Sequence, residues 1–189
     1  MSILRSATDP RWAAVAVADL DRTLSDHVHC EKKAAASALK LVADHPDLPD
    51  LVGSLARLAQ EEQHHFLAVL AELQRRGAPL LPDDGDPYAQ ALLRLVRGGA
   101  GRLVDRLLVA ALIEARSQER LAILAGALPE PRLRELYDRL ARSEAGHEQL
   151  FLDLARRHGG EAEPGARLAA LSEAEARIVA GLPLAARIH

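Results

Sequence analysis

Cysteine is almost absent: Cys30 stands alone, so the 189-residue chain can form no internal disulfide and no cysteine-held zinc or iron–sulfur site. Aromatic residues are also scarce, at 3%, although 49% of the chain is hydrophobic, so its core must be close-packed Leu, Ala and Val. No apolar run approaches the length of a bilayer span, and Met1 to Pro10 lack the apolar stretch of a signal peptide. The expectation is a cytoplasmic protein with no membrane partner. A formal net charge of -3 gives no global attraction to nucleic acid, which leaves local arginine clusters to provide any such contact.

What the chain has instead is helical periodicity. Leu20, Leu24, His27, Glu31, Ala35, Ala38 and Val42 step by three and four along one face of a helix predicted over about Asp19 to Ala43. His45-Pro46-Asp47-Leu48-Pro49 ends it, and a second helix is predicted from Asp50, read as its N-cap, to Arg76. From Gly77 to Gly101 the pattern breaks into a Pro- and Gly-rich link containing a short helix over about Tyr88 to Arg97. A third helix is expected over about Arg102 to Ala125 and a fourth over about Glu130 to Arg157, ended by Gly159-Gly160. After a polar loop with Pro164 and Gly165, Ser172-Glu173-Ala174-Glu175 reads as a capping box for a short last helix to about Ala180. Met1 to Ala18 is a lead-in whose Trp12 tucks onto the helices. The fold class is thus all-α: a ferritin-like four-helix bundle with one long crossover and a short extra C-terminal helix. It is expected as a single domain over 1–189 with its core at about 19–158.

The apolar seams are interrupted by charge. Leu51, Leu55, Leu58, Glu62, His65, Val69 and Leu73 form the seam of the second helix, and Leu133, Tyr137, Leu140, Glu144, His147, Phe151 and Leu154 that of the fourth. Each carries a Glu-x-x-His turn, whose two side chains share a face. The first and third helices add Glu31 and Glu114. The two Glu pairs are separated by 31 and 30 positions, a weak internal duplication. Burying an unpaired carboxylate costs several kcal/mol, so something positive must meet each one.

Four Glu and two His on four helices match the scheme of di-iron and di-manganese carboxylate bundles. Four carboxylates also neutralise two divalent cations. Glu31, Glu62, His65, Glu114, Glu144 and His147 are therefore the candidate metal ligands. Glu61 and His64 share the spacing of Glu62 and His65 but fall one step round the helix, towards the rim. His27, one turn before Glu31, and Tyr137, two turns before Glu144, are candidate hydrogen-bond partners of the ligands.

At these residues the chain resembles the MiaE family of tRNA hydroxylases, in the ferritin-like superfamily. The resemblance lies in Asp26-His27-Val28-His29-Cys30-Glu31-Lys32-Lys33-Ala34-Ala35, Glu61-Glu62-Gln63-His64-His65-Phe66, Leu112-Ile113-Glu114-Ala115-Arg116-Ser117-Gln118-Glu119-Arg120 and Ser143-Glu144-Ala145-Gly146-His147. The chain departs from the family pattern at Gln118 and Gly146. The resemblance implies a non-haem di-iron monooxygenase that hydroxylates the isopentenyl group of 2-methylthio-N6-isopentenyladenosine in the tRNA anticodon loop. It implies two iron ions, dioxygen as co-substrate, and an external electron donor supplied by a separate reductase. Candidate tRNA phosphate contacts are Arg94, Arg97, Arg102 and Arg106, with Arg75 and Arg76 nearby. The competing readings are a ferritin-like oxidase or oxygenase with another small apolar substrate, an iron-oxidising or storage protein, and a metal-free bundle.

Overall fold

The computed structural model describes residues 2–159 and 162–189. All regular elements among them are helical: α1 (Trp12–Ala18), α2 (Leu20–Asp44), α3 (Pro49–Arg75), α4 (Pro87–Leu93), a 3-10 turn (Gly99–Gly101), α5 (Arg102–Ala127), α6 (Pro131–Gly159) and α7 (Ala162–Gly181). They fall into two compact units. One comprises residues 14–84 and 185–188; the other comprises the segment up to Ala13, residues 85–184 and His189.

The first unit is built on the α2–α3 pair. The Asp19 side chain accepts from the Arg22 N–H and caps α2. The N-cap of α3 is Leu48, not Asp50: Pro49 takes the first helical position, where its missing N–H has no helical bond to make, and Asp50 lies within the first turn. Gly77 ends α3 at φ 72, with its N–H on the Gln74 carbonyl at 2.8 Å and the Ala78 N–H on the Leu73 carbonyl at 3.2 Å. This is a Schellman closure, and its left-handed residue explains the glycine. The link that follows is pinned back onto α2. The Leu81 N–H donates to Ser25 Oγ at 2.8 Å, His29 Nε2 meets the Leu81 carbonyl at 2.7 Å, and Asp83 receives Lys32 and Lys33 at 3.0 and 2.8 Å.

In the second unit α5 packs against α6, and Leu107, Ala111 and Leu121 of α5 and Leu140 and Leu154 of α6 are buried. α4 stops at Leu93, earlier than its sequence pattern suggests, because Asp105 takes the Arg97 N–H at 2.9 Å. The short last helix predicted from Ser172 is corrected. α7 begins at Ala162 and carries Pro164 and Gly165 within it, so those residues form no loop. Proline is tolerated there because a first-turn N–H has no helical partner. Ser172 is an interior residue whose Oγ donates to the Leu168 carbonyl at 2.9 Å, and Glu175 is fully buried, so the pair forms no capping box. Gly160, read as part of the stop after α6, lies outside the described residues.

Two ionic knots are sealed inside this unit. Asp105 is fully buried and is gripped by Arg97 Nη2 at 2.7 Å and Arg167 Nη2 at 2.8 Å. Burial pushes its carboxyl up, but the hydrogen bonds from Arg97 and Arg167 outweigh this and hold it well below the ordinary carboxylate range. Arg116, also fully buried, reaches Glu175 Oε1 through Nε at 2.9 Å, Glu119 Oε2 through Nη1 at 2.5 Å and the Ser6 carbonyl through Nη2 at 3.0 Å. The lead-in segment is thereby tied to α5, and the buried Trp12 lies under the Arg120 guanidinium, 5.1 Å from the ring centroid.

Candidate metal centre

Within the α2–α3 unit, Glu31, Glu62 and His65 each present a ligand atom within 4.8 Å of the others. Glu31 and Glu62 are buried, at 4% and 0% exposure. His65 Nδ1 stands 3.3 Å from Glu62 Oε2 and 3.8 Å from Glu31 Oε2. Helical geometry accounts for this, since residues three apart share a face and Glu62 replaces an apolar seam residue between Leu58 and Val69. Their sequence neighbours Glu61 and His64 are exposed. His27, itself buried, places Nε2 at 2.6 Å from Glu31 Oε1. Burial pushes the Glu31 carboxyl up; the His27 charge and hydrogen bonds from His27 and His65 more than offset it and hold the group below its ordinary range.

The α5–α6 unit holds a matching cluster. Glu114, Glu144 and His147 are buried, again with ligand atoms within 4.8 Å of one another, and His147 Nδ1 lies 3.1 Å from Glu144 Oε2. Tyr137 is fully buried on the same side of α6, two turns before Glu144. Each cluster therefore concentrates two carboxylates and one imidazole away from water. Like charges so close and so dry are stable only with a cation or with protons between them. Carboxylate oxygen and imidazole nitrogen without thiolate suit iron or manganese, so the donor set fits the metal pair expected from sequence.

The arginines divide differently. The Arg97 guanidinium is committed to buried Asp105, while Arg75 holds Glu72 at 2.5 Å and Arg76 holds Asp21 at 2.6 Å. Arg94 and Arg102 are exposed, and Arg106 is half-buried.

The family model for tRNA-(MS2IO6A)-hydroxylase (MiaE) matches residues 1–189. The chain belongs to the MiaE family of tRNA hydroxylases. It is 40% identical over 189 residues to the tRNA 2-(methylsulfanyl)-N(6)-isopentenyladenosine(37) hydroxylase of Pseudomonas putida, covering 100% of this chain and 92% of that relative. The enzyme of the same name from Salmonella typhimurium is 36% identical over 165 residues; the match covers 87% of this chain and 60% of the Salmonella protein. Among solved structures, a Synechococcus protein described as having aldehyde deformylating oxygenase activity superposes with a TM-score of 0.95 at 38% identity, covering 100% of this chain and 96% of its own. That likeness shows the fold, an all-α helical bundle of ferritin-like type.

The family motif on α5 has a structural reading that sequence inspection missed. Arg116 and Glu119 belong to the buried clamp that also holds α7 and the lead-in segment, while Glu114, two residues before Arg116 and so on the other side of the helix, joins the carboxylate cluster. Ser117, in the same motif, contacts His189 Nε2 at 2.7 Å, and His189 Nδ1 contacts Asp86 at 3.1 Å. No periodicity marks Glu175 or His189 as partners of α5, because they arrive from distant sequence. Of the two departures, Gly146 is exposed and a side chain added there would meet nothing within 4 Å, so it lies away from the buried cluster. Gln118 is half-buried.

Proposed function

We propose that Glu31, Glu62, His65, Glu114, Glu144 and His147 are the ligands of a two-iron centre. On this reading the chain hydroxylates the isopentenyl group of 2-methylthio-N6-isopentenyladenosine in the anticodon loop of tRNA. The observation that carries it is the duplicated burial of two carboxylates and one histidine in each helix pair. Two iron ions bound there supply the reduction of dioxygen and the oxidation of an unactivated C–H bond.

The chain's own residues do the rest. The four carboxylates bind and neutralise the two cations, and His65 and His147 complete the donor set. His27 holds Glu31 in one orientation through its 2.6 Å contact. The apolar seams around the ligands, including Leu58, Val69, Leu140 and Phe151, exclude water from the reacting centre. The anticodon loop exposes its bases without duplex melting, and Arg94, Arg102 and Arg106 are the candidate phosphate contacts. The electrons come from a separate reductase, since Cys30 alone can hold no iron–sulfur cluster. Among the described residues no helix is long and apolar enough to cross a membrane, and we place the protein in the cytoplasm.

The test is metal content after anaerobic ferrous loading, followed by turnover of modified anticodon stem-loop RNA with dioxygen and a reductant. About two irons per chain, lost in Glu31→Ala and Glu144→Ala, with the hydroxylated nucleoside as product, is the expected outcome. Absence of stoichiometric metal would withdraw the assignment. A second reading, an aldehyde deformylating oxygenase, is favoured by the activity named for the Synechococcus structure. Turnover of the aldehyde and not of the RNA would select it.

A further inference from the structure

One cavity of the α2–α3 unit, about 430 Å³ in volume, has Glu31 among its lining residues. This volume falls within the roughly 300–1,000 Å³ of small-molecule sites. Buried Ala35 and exposed Ala36 leave the space open, and Leu39, Phe66 and Leu67 complete its apolar wall. Leu39 and Leu67 are 46% and 57% exposed. An exposed leucine by itself means little. Two of them on one cavity, beside a half-buried phenylalanine in a chain with two, form an apolar mouth above a buried carboxylate.

We propose that this cavity is the entry pocket for the prenylated base: the isopentenyl tail runs past Ala35 and Ala36 towards Glu31, and the purine rests on Phe66 between Leu39 and Leu67. This rests on the hydroxylase reading above. The chemistry of the lining chooses the occupant. A branched five-carbon tail needs an apolar channel without hydrogen-bonding demands, and a purine needs an aromatic or apolar face on which to stack. Lys32 and Gln63 also line the cavity, but the Lys32 ammonium is held 3.0 Å from Asp83, so it contributes an apolar stem and its charge is directed elsewhere, and Gln63 is exposed, so its amide is satisfied by solvent at the rim. Ala36 is the specificity-determining position, since any larger side chain there occupies space that the tail requires.

Ala36→Trp is the direct test, and because Ala36 is exposed the substitution spares the core. Calorimetric titration with N6-isopentenyladenosine, on iron-loaded wild-type and variant protein, reads the pocket independently of turnover. The expected result is binding to wild type, weakened about tenfold or more in Ala36→Trp, with iron content unchanged. Leu67→Asp gives a second, equally exposed probe and is expected to weaken binding in the same direction. Equal affinity in wild type and both variants, no binding to wild type, or tighter binding of a straight-chain aldehyde would overturn the pocket assignment. Turnover separates the two ideas. RNA hydroxylation that continues unchanged in both variants refutes the pocket while leaving the hydroxylase reading intact, whereas wild-type protein that binds the nucleoside without hydroxylating the RNA refutes the hydroxylase reading alone.

Discussion

Replacing Arg116 by Met is expected to be among the most damaging single changes outside the metal cluster. Methionine keeps much of the volume, so the change isolates charge and hydrogen bonding from packing. In the native structure Arg116 and Glu175 are both fully buried and joined through Nε at 2.9 Å and Nη2 at 3.1 Å. Burial pulls the guanidinium's pKa down, and the Glu175 and Glu119 charges more than restore it. Without it, Glu175 retains the Tyr88 hydroxyl at 3.1 Å as a partner but no compensating charge from Arg116. Breaking a buried pair from one side costs about 3–5 kcal/mol. Set against a total stability of about 5–15 kcal/mol, that is a large share. At about 2–4 °C per kcal/mol for a chain of this size, the melting temperature should fall by about 6–20 °C. Circular dichroism melts of metal-free protein measure it. The double variant Arg116→Met, Glu175→Leu should recover most of the loss, because replacing both ions by apolar groups removes the desolvation penalty. A single variant melting within about 2 °C of wild type, or a double variant no better than the single, would refute the reasoning.

The Asp105 knot makes a prediction in pH. Its folded pKa lies below the usual value of 3.8, so it stabilises the fold fully above that value and loses the contribution as pH falls below it. The stability difference between wild type and Asp105→Asn should be flat near neutrality and shrink in acid; a difference that stays constant into strong acid would show that Asp105 has the same pKa folded and unfolded, and would refute the depression. His27→Gln should weaken iron binding about 10–100-fold by releasing Glu31, measured by competition with a chelator; unchanged affinity would reduce His27 to packing. Gly146→Ala adds a methyl group into open space on α6 and should raise stability by about 0.5–1 kcal/mol, read from urea denaturation. A loss of stability there would mean that something covers that face.

The long helices and the cluster residues were legible in the sequence because both follow from helical period. A Glu three residues before a His on an apolar seam must share the buried face with it, whatever the helix packs against, and Glu62 and Glu144 are buried as that geometry requires. The same reasoning separates Glu62 and His65 from exposed Glu61 and His64, which have identical spacing but the wrong phase. Proline and glycine chemistry located most ends to within a residue or two. Where that reasoning relied on a local motif it failed, as at Ser172 to Glu175: a capping-box pattern cannot say whether its glutamate turns back to the helix end or finds a buried arginine 59 residues earlier in the chain.

Only the tertiary structure could decide contacts of that kind. Arg116 with Glu175 and the Ser6 carbonyl, Asp105 with Arg97 and Arg167, and His189 with Ser117 and Asp86 join groups brought together by how the chain returns on itself. The cavity over Glu31 is likewise a property of the packed α2–α3 pair, since an alanine on a helix reads the same whether it faces a neighbour or an empty space. Period fixes which face of a helix a residue occupies; what stands opposite that face is set by long-range packing, which no local pattern encodes.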